Sequence, residues 1–182
     1  MLLTACITTN TAKISDPTKR LAIAGVTILP IQEQNWHIIS NTKQQLAMVK
    51  PGTKKGETYA VNVSLFKMPP ADTIDEFFEQ VKKQRSSEPD TGRFKVLSNT
   101  EKIYKQSCIE HQSLSKDFGA IGKINTEYML LETFGYNCSH KYASDVGVNV
   151  EYSRRYYPDS KKENLQNNAQ ALISNIKLVP FQ

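Results

Sequence analysis

The sequence predicts an antiparallel α+β domain, a sheet with two amphipathic helices packed on it. Three observations carry that prediction. Apolar and polar residues alternate through several segments, as where Val61, Val63 and Leu65 interleave with Asn62 and Ser64. In two segments the period lengthens to that of a helix: Ile74, Phe77, Phe78 and Val81, then Leu165, Ala169, Leu172, Ile173 and Ile176. The order runs strands, helix, strands, helix without repeated βαβ units, which argues against a parallel sheet.

Taken in order, the first part carries Thr, Asn, Ser, Asp, Pro and Lys without periodicity as far as residue 20. It reads as a flexible tether, assigned to 6–24 and followed by one globular domain over 25–182. Strands are expected at 26–29 (stopped by Pro30), at 36–39 and at 45–49. Pro51 and Gly52, followed by Lys54, Lys55 and Gly56, mark a turn. The alternating stretch 58–67 is the next strand. The first helix follows, with Thr73 and Glu76 at capping-box spacing, acidic residues in its first half and Lys82, Lys83 and Arg85 at its end. Residues 86–92 close it.

Strands are then expected at 94–97 and, as one continuous segment, at 101–113. A loop holding Asp117, Gly119 and Gly122 turns the chain. Residues 128–136 and 146–152 give two further strands, and Pro158, Asp159 and Ser160 end the sheet. The closing helix carries Ser160 and Glu163 at capping-box spacing.

Length and charge narrow the classes of function. A chain of 182 residues holds one domain, or one domain and a tail. No apolar run approaches the roughly 18 residues of a spanning helix, and the mean hydropathy is -0.47. The net charge of +5 favours anionic neighbours. The basic residues come as dispersed pairs (Lys54 with Lys55, Lys82 with Lys83, Arg154 with Arg155, Lys161 with Lys162) and accompany no nucleic-acid motif. They read as solvated faces and no nucleic-acid partner is expected.

Near the start, Leu3-Thr4-Ala5-Cys6 resembles a bacterial lipobox, in which small residues fit the signal peptidase and the thiol takes the diacylglycerol. Apolar residues precede it and the polar run Thr8-Thr9-Asn10-Thr11 follows. Residues 1–5 are too few for a whole signal peptide, so they read as its remnant, and Cys6 reads as the lipidation site that anchors the protein to membrane. Ile7 rather than Asp follows the cysteine. By resemblance to Gram-negative lipoproteins, this implies the outer membrane, facing the periplasm.

With Cys6 assigned to lipid, Cys108 and Cys138 remain as a pair in an oxidising compartment, where a disulfide is expected. Closing a loop of about 30 residues contributes roughly 3–4 kcal/mol in the chain-entropy account. The alternative is a zinc site from Cys108, His111, Cys138 and His140. On a strand Cys138 and His140 share a face, whereas Cys108 and His111 do not unless a bulge intervenes. Two unpaired thiols are the third reading.

Nucleophilic catalysis has little support. The chain lacks a Gly-x-Ser-x-Gly elbow, and the nearness of Ser107, Ser113 and Ser139 to His111 or His140 in sequence is no triad geometry. Gly119 to Lys123 lacks the interval of a phosphate loop and reads as a hairpin turn. No catalytic, metal-binding or cofactor-binding residue is assigned. The cluster Tyr152, Arg154, Arg155, Tyr156 and Tyr157 holds residue types common at interaction hot spots, and is the candidate surface for an envelope protein or an anionic glycan. The competing reading is a set of aromatics covering the core.

Further landmarks are Gly25-x-x-Ile28-x-Pro30 leading to Trp36, Gly135-Tyr136-x-Cys138-x-His140, and the run from Gly147 through Val148, Val150, Tyr152, Ser153 and Arg155 to Tyr156 and Tyr157. With the closing helix before Ile176 and Lys177, these resemble small bacterial lipoproteins of unassigned function. More remotely, the layout over about 25–180 resembles the PsbP-like α/β/α sandwich, which the DcrB group shares. Asn35 stands before Trp36 where that pattern carries Gly. The resemblance implies an exported, non-enzymatic binding or accessory domain. A hydrolase acting on envelope material, or a cytosolic metal- or nucleic-acid-binding domain, are the alternatives.

Overall fold

Residues 12–86, 92–105, 107–161 and 163–181 are described by the structure, a computed structural model. Cys6 and the lipobox lie outside the described residues, as do residues 87–91 of the expected 86–92 loop. The elements run β1 (Ala12–Lys13), β2 (Leu21–Ile23), β3 (Val26–Ile28), β4 (His37–Asn41), β5 (Gln45–Pro51), β6 (Thr58–Lys67), α1 (Ile74–Ser86), β7 (Phe94–Tyr104), β8 (Cys108–Asp117), β9 (Met129–His140), β10 (Ala143–Tyr156), α2 (Leu165–Ser174) and β11 (Ile176–Leu178). Eight strands form one antiparallel sheet in the order β1-β4-β5-β6-β10-β9-β8-β7, and β11-β3-β2 form a second, small one.

This corrects the expected fold class. The α+β sandwich of a sheet flanked by two helices does not form: the fold is mostly β, with 49% of the described residues in strands and 14% in helix. The two helices are short, and each covers a patch of the large sheet rather than a layer. Strands were missed where they carry too few residues to show a period. β1 has two residues, and β2 and β11 have three each, whereas β3 follows the strand expected at 26–29.

One face of the large sheet holds the main core. Val148, Val150 and Tyr152 of β10 stand beside Phe134, Tyr136 and Cys138 of β9, and beside Val61 and Val63 of β6 with Leu46 and Met48 of β5. The small sheet covers them with Ile23, Val26 and Ile28, and α2 with Leu165, Ala169 and Leu172. Burying each such large side chain contributes about 1.5–3 kcal/mol. Trp36 enters this core edge-on to Tyr152, at 6.1 Å between ring centres. Its predecessor Asn35 adopts φ 68°, the left-handed conformation that explains why glycine suits this position and why Asn tolerates it.

α1 lies on the opposite face, where Phe77 and Val81 pack with Met68 and Ile109. Its start follows the expected spacing: the Glu76 amide donates to Thr73 Oγ1 at 3.2 Å, and Glu76 Oε2 accepts from the Asp72 amide at 2.9 Å. The second cap differs. Asn164 caps α2, its side chain accepting from the Gln166 amide, because Ser160 is bonded to Glu57 and Glu163 accepts the Tyr59 hydroxyl.

Two further expectations are corrected. The segment 101–113 is not one strand: the chain reverses between Tyr104 and Cys108, with Lys105 at φ 58°. No Gly, Pro or Asn marks that turn, so its position has no strong local signal. The tether boundary at 24 is also too late. β1 pairs with β4, the Ile14 amide donates to Trp36 O, and Ile23 is buried in the core.

Candidate functional site: a polar cleft beneath the first helix

Between α1 and the sheet is a cleft of about 180 Å³, lined by Ser64, Phe66, Val81, Arg85, Asn137 and Glu151 among others. The alternation of β6, β9 and β10 places Ser64, Asn137 and Asn149 side by side on this face, opposite the apolar core. His111 of β8 reaches the same face and is 1% exposed. Its Nε2 lies 3.1 Å from Glu151 Oε1, and its Nδ1 lies 3.2 Å from Asn137 Nδ2. The Asn137 amide N–H donates to Nδ1, which leaves the ring proton on Nε2 to donate to the Glu151 carboxylate.

Burial alone pushes the Glu151 carboxyl up. The hydrogen bonds of His111 and Asn149, with the Arg85 charge, outweigh this and hold it below the usual carboxylate range. Arg85, in the last turn of α1, pairs with Glu101 of β7. The His111–Glu151 hydrogen bond and the Arg85–Glu101 ion pair therefore run along the seam where α1 meets the sheet.

Farther along the same face, the fully buried Asp117 carboxylate accepts from Arg93 Nε at 3.0 Å and Nη2 at 3.1 Å, with Arg155 Nε 2.8 Å away. Burial raises this carboxyl, but the Arg93 hydrogen bonds and the Arg155 and Arg93 charges set it below its ordinary value.

The predicted cluster of Tyr152, Arg154, Arg155, Tyr156 and Tyr157 is divided between the two faces. Tyr152, Arg154 and Tyr156 are buried on the core side, so they are not an exposed surface. Arg154 is 3% exposed, lies over the rings of Tyr59 and Tyr156, sits 3.4 Å from Glu163, and donates to Lys161 O at 2.7 Å. Burial and then the Glu163 carboxylate push Tyr59 up to about 12. Arg155 is engaged with Asp117, and the Tyr157 hydroxyl donates to Lys55 O while accepting the Ile124 amide. Alternation alone separates the cluster, since Arg154 and Arg155 are neighbours in sequence.

Cys108 and Cys138 are directly opposite on β8 and β9, with 4.0 Å between Cα atoms, and are joined as a disulfide. The zinc alternative does not assemble. His111 points to the α1 face, while His140 sits against Phe181 and donates from Nε2 to Gly25 O at 2.8 Å. Among the described residues no group of three or more His, Cys, Asp or Glu is placed to hold a metal ion. Among them, too, no helix is long and apolar enough to cross a membrane. The His111–Glu151 pair went unforeseen because the two lie 40 residues apart and only the register of β8, β9 and β10 joins them.

No protein-family model matches this chain, and no curated protein and no solved structure does either. The fold and the cleft define a mostly-β domain, disulfide-bonded across two adjacent strands, with a polar seam under one helix.

Proposed function

We propose that the chain is a non-catalytic binding or accessory module of the bacterial cell envelope, anchored through an acylated Cys6. The observation that carries the reading is the Cys108–Cys138 disulfide, which joins two adjacent sheet strands and is of a kind that persists in oxidising compartments. The non-catalytic part is supported by the way the cleft groups are engaged. His111 is held on Glu151 and Asn137 within the sheet, and Arg85 ties α1 to β7 through Glu101, so these groups are engaged with one another. The lipobox resemblance supplies the anchor, and Ile7 after it favours the outer membrane.

Fractionation of native host cells carrying the wild-type or the Cys6→Ser gene tests the reading. The wild type is expected with membranes in its processed form, and the variant is expected to lose that form. A variant that stays membrane-bound with unprocessed precursor absent, or a wild type found in the cytosol, would contradict it.

A further inference from the structure

The long sheet ends on one side in β1, of two residues, and on the other in β7, of eleven. β7 is exposed almost along its whole length, with Val96 61% exposed and Phe94, Leu97 and Ile103 also open to solvent. Its outer side can be assigned from hydrogen bonding. The Ser139 amide donates to Ser107 O at 2.9 Å, so the next pair, Cys108 with Cys138, is a non-hydrogen-bonded one. The backbone of Cys108 is therefore turned to β7 and bonded with Tyr104, and by alternation the amides and carbonyls of Asn99, Glu101 and Ile103 point outward. Among the described residues no strand lies beyond them.

The side chains of the edge divide by register. Phe94, Val96, Asn99, Glu101 and Ile103 share the α1 face, while Lys95, Ser98, Thr100, Lys102 and Tyr104 share the other. Lys95 stands directly opposite Lys116 of β8, a like-charge pair that destabilises a ladder. A carboxylate beside β7 would relieve it. Glu101 is already paired with Arg85.

We infer that the outer edge of β7 is a docking site for an extended, acidic segment of another polypeptide, which adds to the sheet as a ninth strand. The outward amides and carbonyls supply the ladder, Val96 and Ile103 meet apolar residues on the α1 face, and Lys95, set against Lys116, meets a carboxylate on the other, where Lys102 is already paired with Glu110 of β8 at 2.7 Å. Charge decides against a second copy of this chain. Two β7 edges meeting would bring Lys95 and Lys105 of each, with Lys95 already opposite Lys116, into one seam, the device by which exposed edges avoid self-pairing. The inference rests on the binding-module reading and names the partner class.

The test uses the full chain with two fluorescent eight-residue peptides, one alternating Val with Glu and one alternating Val with Lys, read by anisotropy. The acidic peptide is expected to bind at least about tenfold more tightly, with affinity falling as salt rises. Asn99→Pro, which removes one outward amide and no internal bond, should weaken binding about fivefold while leaving the melting temperature near that of the wild type. Lys95→Glu should weaken it further. Equal binding of the two peptides, or undiminished binding to Asn99→Pro, would overturn the inference. So would self-association in sedimentation that Asn99→Pro abolishes, since the edge would then take a second copy. Failure here leaves the binding-module reading to its own test, because fractionation of the Cys6→Ser variant does not depend on β7.

Discussion

Gly135 stands directly across from His111 in the β8–β9 ladder, and the imidazole occupies the space a side chain there would need. A Cβ at Gly135 would lie 2.7 Å from His111 Nε2 and 2.6 Å from the Val150 carbonyl oxygen. The His111–Glu151 pair, whose carboxylate lines the cleft, therefore depends on a residue without a side chain. Gly135→Ala should destabilise the domain by about 1–3 kcal/mol, because backbone as well as ring must move. Chemical denaturation measures this, and an unchanged midpoint would show that the ring has room to shift.

Reduction should weaken the fold. Joining residues 30 apart restricts the unfolded chain, so Cys138→Ser, or saturating reductant, should cost about 3–4 kcal/mol. Identical denaturation curves with and without reductant would refute a closed disulfide.

Residues 12–20 should contribute to stability, contrary to the tether expectation. Arg20 donates to Thr27 O at 3.0 Å and to Asn175 O, linking β3 to the end of α2, and β1 extends the large sheet. Deletion through Arg20 should remove about 1–2 kcal/mol and lower Tm by several degrees. A Tm equal to the full chain's would restore the tether.

Acid should act through Asp117. Its folded pKa lies below the unfolded value, so its contribution is present above about pH 4 and is lost as pH falls through the folded value. Asp117→Asn should cost about 2 kcal/mol at pH 7 by leaving Arg93 and Arg155 without their carboxylate, and the deficit should shrink below pH 4. A deficit that stays constant from pH 7 to pH 3 would show that the charge is not what stabilises.

The parts of this fold legible in the sequence are those whose periodicity is long enough to see. The stripe Ile74, Phe77, Phe78 and Val81 marks α1, and the alternation of 58–67 marks β6, because each pattern runs over seven or more residues. The fold class failed for the opposite reason. β7 is exposed on both faces, so Phe94 to Tyr104 carries no inside-outside alternation, and the reversal at Lys105 uses a residue that rarely marks turns. The short strands β2 and β11 of the small sheet are specified by what they cover, not by their own pattern. The same holds at the cleft. Neighbours such as Arg154 and Arg155 look like one cluster in sequence yet face opposite sides of β10, whereas His111 and Glu151 come together only through three strands in register.

The most direct test of the account is the intact mass of protein extracted from its native host, measured with and without reductant. An exported, anchored, disulfide-bonded module predicts a chain beginning at Cys6 with a lipid-sized increment and a gain of about two hydrogens on reduction. An unmodified chain carrying three free thiols would contradict it.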